Sequence, residues 1–360
     1  MADPTLAKAL VLQGGGALGA YELGVARVLY GERGYAPDLI AGVSIGAISA
    51  VLLARPKGGD PLAALEGFWK RVTVEAPWLP DQLKPYASLW GNPNFFMPRP
   101  DVWNLANWTN IYSTEPLLRT LAQFVDEAAL ADPHAMPRLI MTATDVVAGQ
   151  IEPFWSGAGG LTLDHVLASG SLPPSFPATT IGDKHYWDGG LFDNTPLGEV
   201  ISRMKPNKAP PAEREVVVVN LFPNAGTLPT TFAEVKQRMM TLSFANKTES
   251  DLELLRSFNR LAVLMREIRT NDAWSGLREL AAYKDLDQHY IEVPNIVDIT
   301  RTGSLDGAPW SDFSPQGIAR LAEAGAVAAR EALAKAPATA AAKAEVKTGK
   351  RPAVRLAPVG

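Results

Sequence analysis

Ile40-Ala41-Gly42-Val43-Ser44-Ile45-Gly46-Ala47-Ile48 places a G-x-S-x-G pattern between a short apolar run and an apolar, Gly/Ala-rich one. That order predicts a strand, a sharp turn and a helix. At such a turn the serine is held under backbone strain, its hydroxyl exposed at the strand's carboxyl end and its amide at the positive end of the following helix. Gly42 and Gly46 let neighbouring backbone close in on the turn. The same residues also fit an ordinary strand–helix connection capped by a serine, so the motif alone leaves both a nucleophile and a cap open.

Upstream, Ala7 to Gln13 reads as a buried first strand, and Gly14-Gly15-Gly16-Ala17-Leu18-Gly19 follows at once. Apolar residues at helical spacing then run from Ala20 to Tyr30, and Gly31 and Gly34 end them. Leu39-Ile40 forms the second strand, and the helix after Ser44 continues to Ala54, before Pro56 and Gly58-Gly59. This β-loop-α-β-turn-α order predicts an α/β protein whose mainly parallel sheet is covered on both faces. The glycine loop also satisfies G-x-G-x-x-G, the dinucleotide-binding pattern, but that reading wants an acid at the end of the second strand. Here the strand ends in Ala41-Gly42-Val43-Ser44. The loop's other use is an oxyanion hole, with the amides of Gly15 and Gly16 unobstructed by Cβ atoms. Neighbouring parallel strands would bring that loop and Ser44 face to face.

From Pro77 to Trp108 tryptophans alternate with prolines and Asn-rich turns, which predicts an inserted wall or lid at 77–112. It suits an acyl-chain pocket or a surface resting on lipid, and equally a packed structural insertion. Ser113-Thr114-Glu115-Pro116 caps a helix, and Arg138 to Asp145 is a β-rich run beside which Gln150 to Trp155 pairs. Thr180 to Trp187 reads as a hairpin turning at Gly182-Asp183, delivering Asp188-Gly189-Gly190. An acid followed by two glycines can be pushed into a site that a bulkier loop would block, although Asp-Gly also closes ordinary turns. Glu215 to Leu221 is an interior strand, residues 231–286 form long helices, Tyr290-Ile291-Glu292-Val293 is a short strand, and Asp312 to Pro315 cap a last helix.

The chain has 360 residues, 47% hydrophobic and 20% charged, with a formal net charge of −4. That balance gives no reason to expect nucleic acid. Cysteine is absent, which excludes disulfides, thiolate metal sites and a cysteine nucleophile, and the four histidines show no metal-ligand spacing. No signal-peptide pattern opens the chain and no apolar run is long enough to span a bilayer, so a soluble cytoplasmic protein, peripheral to the membrane at most, is expected.

Taken together, Gly14-Gly15-Gly16-x-x-Gly19, Gly42-Val43-Ser44-Ile45-Gly46 and Asp188-Gly189-Gly190 resemble the patatin-like phospholipase family, supported by Ala168 to Pro174 and Asp193-Asn194-Thr195-Pro196. The resemblance implies a three-layer α/β/α fold and hydrolysis of lipid acyl esters, as a phospholipase A or carboxylesterase, without metal or cofactor. It implies Ser44 as nucleophile, Asp188 as base, Gly14, Gly15 and Gly16 as the oxyanion loop, Gly42 and Gly46 as the elbow glycines, and Gly189 and Gly190 as the rest of the acid motif. Leu18 stands where many members carry Arg or Lys, which removes a cation from the mouth of the site. Residues 1–222 are the expected catalytic core, 223–335 a mainly helical extension like that of a bacterial subgroup, and 336–360 a disordered Ala/Pro/Lys tail. The expected partners are a lipid or ester substrate and, transiently, a membrane surface. A Ser-His-Asp triad using His165 or His185, a transacylase with the same dyad, and a non-catalytic nucleotide-binding module are the alternatives.

Overall fold

The computed structural model of the chain describes residues 5–204, 210, 213–289, 291–302 and 310–335. The tail at 336–360, for which the sequence predicts disorder, lies outside the described residues, as does Tyr290. The strands are β1 (Lys8–Leu12), β2 (Leu39–Gly42), β3 (Met97–Pro98), β4 (Tyr112–Ser113), β5 (Arg138–Asp145), β6 (Gln150–Trp155), β7 (Thr179–Ile181), β8 (Lys184–Asp188), β9 (Glu215–Asn220) and β10 (Asn295–Thr300). The α-helices are α1 (Ala20–Ala26), α2 (Ile45–Ala54), α3 (Pro61–Val72), α4 (Glu115–Phe124), α5 (Glu127–Ala131), α6 (Leu163–Ser169), α7 (Leu197–Met204), α8 (Phe232–Thr270), α9 (Ala281–His289) and α10 (Pro315–Lys335).

Five strands run parallel in the order β10-β9-β1-β2-β5, and the sheet continues through the antiparallel β8 and β7. Strands buried on both faces need apolar side chains throughout, and Val216 to Val219 and Ala9 to Leu12 supply them. Leu10, Leu12 and Val217 point into a core shared with α1, α2, α3 and α10. Ala9, Val11 and Val218 point the other way, against α7 and α8. The fold is therefore a three-layer α/β/α sandwich with a mainly parallel sheet.

The sheet order explains how distant segments converge. Ile140 of β5 pairs with Ala41 of β2 on one side and Trp155 of β6 on the other. Three residues on, Ala143 pairs with Glu152 of β6 and Asp188 of β8. β2 and β8 thus share one edge of β5, and β8 takes over where β2 stops at Gly42. The end of β8 lands beside the turn that follows β2.

One strand lies elsewhere than the sequence pattern suggests. Ile291 and Val293 are buried, but the edge strand begins after Pro294. Asn259 of α8 instead holds the Val293 backbone from both sides, accepting from its N–H at 2.8 Å and donating to its C=O at 2.6 Å. A proline cannot donate to a ladder, so pairing starts beyond it. Residues 223–335 supply β10 to the central sheet and α10 to its outer layer. No described helix is long and apolar enough to cross a membrane.

Candidate active site

Ser44 has φ 56° and ψ −122°, and among the described residues it is the only non-glycine at positive φ. Such a conformation costs about 1–3 kcal/mol and persists only where its surroundings enforce it. Here they do. Its N–H donates to Ser169 Oγ at 3.0 Å, and that hydroxyl donates to Thr142 O at 2.8 Å. Its carbonyl accepts from the N–H groups of Ala47 (3.0 Å) and Ile48 (3.1 Å), which starts α2. The elbow is so tight that a Cβ at Gly42 would overlap the Gly46 carbonyl, and one at Gly46 would overlap that of Leu12. Any side chain at either position would push the turn open.

Asp188 ends β8 and is buried, 3% exposed. Its backbone is fixed on two sides, its N–H donating to Ser171 O at 3.0 Å and its C=O accepting from Thr144 Oγ1 at 2.9 Å. Its carboxylate accepts from the Gly190 N–H at 2.7 Å. Burial pushes the Asp188 pKa up to about 6, while its hydrogen bonds with the Ser44 hydroxyl and the Gly190 amide pull it back. The result is a carboxylate poised near neutral pH next to a serine hydroxyl.

The glycine loop is held by two amide side chains. Asn194, buried after the acid motif, donates from Nδ2 to Gly14 O at 3.1 Å, and its own main-chain carbonyl accepts from the Gly14 N–H at 3.4 Å. Gln13 accepts from the N–H groups of Leu221 (2.6 Å) and Phe222 (3.1 Å) and donates to Thr195 Oγ1 (3.1 Å). The loop is tied in this way to the ends of both neighbouring segments. The Gly14 amide is therefore engaged, and among the described residues the amides of Gly15 and Gly16 have no partner. Gly16 sits at φ 58° with its Cα facing the Trp310 carbonyl, a position a side chain would block. Leu18 is fully buried and does not line the site.

A cavity of about 370 Å³ brings Gly14, Gly15, Gly16, Ser44 and Asp188 together. Gly42, Gly46, Gly189 and Gly190 shape the turns beneath without lining it. Its walls are aromatic: Phe95, Phe96, Phe176, Phe222, Phe244 and Phe313 come from five separate segments. The insertion supplies the first two, α8 supplies Phe244, and Phe313 precedes α10. Phe313 stacks on Trp69 of α3 at 6.3 Å and meets Phe95 at 5.3 Å, so the walls are braced from behind.

Neither His165 nor His185 enters the cavity. His165 belongs to the cap of α6, its Nδ1 accepting from the Thr162 N–H at 3.1 Å while its ring meets Phe154 edge-on. His185 is exposed and bonds Thr180 Oγ1 at 2.9 Å. Sequence reasoning assigns no role to Ser169, Gln13 or Asn194, nor to the aromatic walls beyond residue 220. Ser169 and Asn194 lie in stretches that carry the family resemblance, but only three-dimensional contacts show what each one holds.

A family model described as patatin-like phospholipase matches residues 10–201, more than half of the chain. No curated protein matches it. Among solved structures, VipD from Legionella pneumophila is 18% identical, with a TM-score of 0.41, over 92% of this chain and 67% of its own. A chain of the heterodimeric ExoU-SpcU complex from the type III secretion system of Pseudomonas aeruginosa is 16% identical, with a TM-score of 0.30, over 79% of this chain and 66% of its own. The chain spans about two thirds of the length of either.

Proposed function

The chain belongs to the patatin-like phospholipase family, and from that premise we propose that it hydrolyses acyl esters of lipids through an acyl-enzyme on Ser44, with Asp188 as the base. The observation that carries the proposal is the convergence of a strained serine, a buried carboxylate and two free glycine amides at the foot of one apolar cavity. Asp188 takes the hydroxyl proton as Ser44 Oγ attacks the ester carbonyl. The amides of Gly15 and Gly16, with Gly14 fixing their orientation, receive the charge that develops on the carbonyl oxygen. One such donor is worth about 3 kcal/mol in a transition state. The leaving alcohol takes the proton back from Asp188, and water, giving its proton to the same carboxylate, then releases the acid and restores Ser44. The apolar walls hold the acyl chain and exclude competing water.

A base must be ionised to work, so the pH profile tests the assignment. With the Asp188 pKa near 6, kcat/KM for a soluble ester should be level above that pH and fall about tenfold per unit below it. A profile that is flat from pH 4 to 8 would remove Asp188 from the role. The two-residue scheme makes a second demand. A His165→Ala, His185→Ala double variant should keep its esterase activity within about twofold, since neither ring lines the cavity. Complete loss of turnover in a folded double variant would restore a triad.

A further inference from the structure

Between Pro85 and Thr114 the only charged residues are Arg99 and Asp101. They neutralise each other through two hydrogen bonds, Nε to Oδ1 at 3.0 Å and Nη2 to Oδ2 at 2.7 Å. The guanidinium also donates to Asn110 Oδ1 at 3.1 Å and lies 5.3 Å from the Trp108 ring centroid. The rest of the stretch is uncharged: apolar, aromatic, amide-bearing or hydroxyl-bearing.

The short β3–β4 pair closes residues 99–111 into a loop, sealed by the Arg99 N–H donating to Ile111 O at 3.1 Å. Trp103 on that loop is 82% exposed, and Leu105 and Ile111 are exposed with it. The preceding turn joins the same surface: the Tyr112 hydroxyl donates to Leu89 O at 2.9 Å, and Gly91 lies against Met97 and Pro98. That turn carries Trp90, 70% exposed, and Leu89. The inner side of the same segment, through Leu89, Phe95, Phe96 and Tyr112, is a wall of the cavity. One piece of chain therefore faces the substrate cavity on one side and shows unpartnered indoles on the other.

Resting on the lipid-hydrolase reading of that cavity, we propose that this face docks the protein on an electrically neutral lipid surface, from which the acyl chain passes into the cavity. Three features select lipid over a protein partner. Exposed indoles pair an apolar body with a single N–H, the combination that settles at the headgroup level of a bilayer. No uncompensated charge has to be desolvated, because Arg99 and Asp101 enter as a neutral unit. Leu89 is both wall and surface, so a chain drawn from lipid at this rim is spared passage through water. A protein partner would need charges or a shaped pocket to set its register, and between Pro85 and Thr114 the segment offers no free charge.

The test separates docking from turnover. The Ser44→Ala protein is sedimented with vesicles of phosphatidylcholine alone, and of phosphatidylcholine mixed with phosphatidylglycerol, at low and high salt. Binding to pure phosphatidylcholine is expected, changing by less than about twofold with salt or anionic lipid, and falling at least about tenfold in a Trp90→Ser, Trp103→Ser variant. With Ser44 restored, the same pair of changes should lower hydrolysis of a vesicle-borne ester at least about tenfold and leave a soluble short-chain ester within about twofold, which also reports an intact fold. Vesicle binding that survives loss of both indoles, or that requires anionic lipid and vanishes in salt, overturns the inference. So does an equal loss on the soluble ester, or self-association through this face without vesicle binding. Binding by the Ser44→Ala protein together with no ester turnover by the parent would uphold the docking face and remove the hydrolase reading.

Discussion

Ser44→Ala is expected to lower ester hydrolysis by at least about 10⁴-fold and Asp188→Asn by a similar factor, with the double variant scarcely worse than either. Two groups that act on one proton fail together. Removing Ser44 deletes the atom that forms the acyl bond, and removing the charge at Asp188 leaves that hydroxyl without a base. Asp188→Asn should also separate activity from stability. Burial raises the native pKa of Asp188 to about 6, against about 3.9 in an unfolded chain. The native state therefore binds the proton more tightly, and stability declines as pH rises from about 4 through 6. Above that window the ionised, buried carboxylate costs on the order of 2–3 kcal/mol. An amide side chain carries no such cost. The Asp188→Asn variant should thus melt higher than the parent at pH 8 and level with it at pH 4, which thermal unfolding at both pH values measures. Equal melting at pH 8 would mean that the buried charge does not destabilise the fold.

Gly325→Leu is expected to be the most damaging change remote from the site. Helices α1 and α10 meet backbone to backbone: a Cβ at Gly24 would overlap the Ala322 carbonyl, and one at Gly325 would overlap that of Tyr21. Ala322, Ala326 and Ala329 are buried along the same seam. A leucine cannot be accommodated by rotating a neighbouring side chain, because what stands in the way is main chain. Overpacking of this kind costs about 3 kcal/mol or more, enough to lower the melting temperature by at least about 4 °C in a chain of this size. Activity should fall with it. The segment leading into α10 carries Trp310 and Phe313, both in the cavity wall, and Ser311, whose carbonyl accepts from the Ser88 hydroxyl of the insertion. Gly325→Ser, a smaller intrusion, should cost less, and a melting curve unchanged by leucine would show that α10 does not need this close approach.

Most of the elements are legible from local pattern, because their causes are local. Gly14 to Gly19, the turn at Gly42 to Gly46 and the hairpin at Gly182-Asp183 each announce a backbone geometry in their own residues. Thr114 sits at the helix start that the sequence suggests. The strand expected near residue 290 lies a few positions further on, because Ile291 and Val293 are as apolar as strand residues without being paired. What distinguishes them is Asn259, on a helix more than thirty residues earlier. The meeting of Ser44 with Asp188 depends on β2 and β8 sharing an edge of β5, a fact of register that no single segment encodes. The cavity walls are hidden for a related reason. Helical spacing over 231–286 shows that apolar stripes exist, but not that Met240 and Phe244 turn toward the glycine loop. Ser169 and Asn194 lie in stretches that carry the family resemblance, but the main-chain groups they hold in place, at Ser44, Thr142 and Gly14, are distant in sequence.

Everything proposed for the site requires that Ser44 be a nucleophile made reactive by Asp188. Treating the folded protein with a fluorophosphonate and mapping the adduct by peptide mass spectrometry tests this directly. The tryptic peptide Gly34–Lys57, uncut at the Arg55-Pro56 bond, holds both Ser44 and Ser49, which fragmentation distinguishes. A single adduct on Ser44 in the parent, lost or greatly slowed in Asp188→Asn, is the expected result. Unmodified Ser44 in active protein, an adduct on another residue, or undiminished labelling without the carboxylate would contradict it.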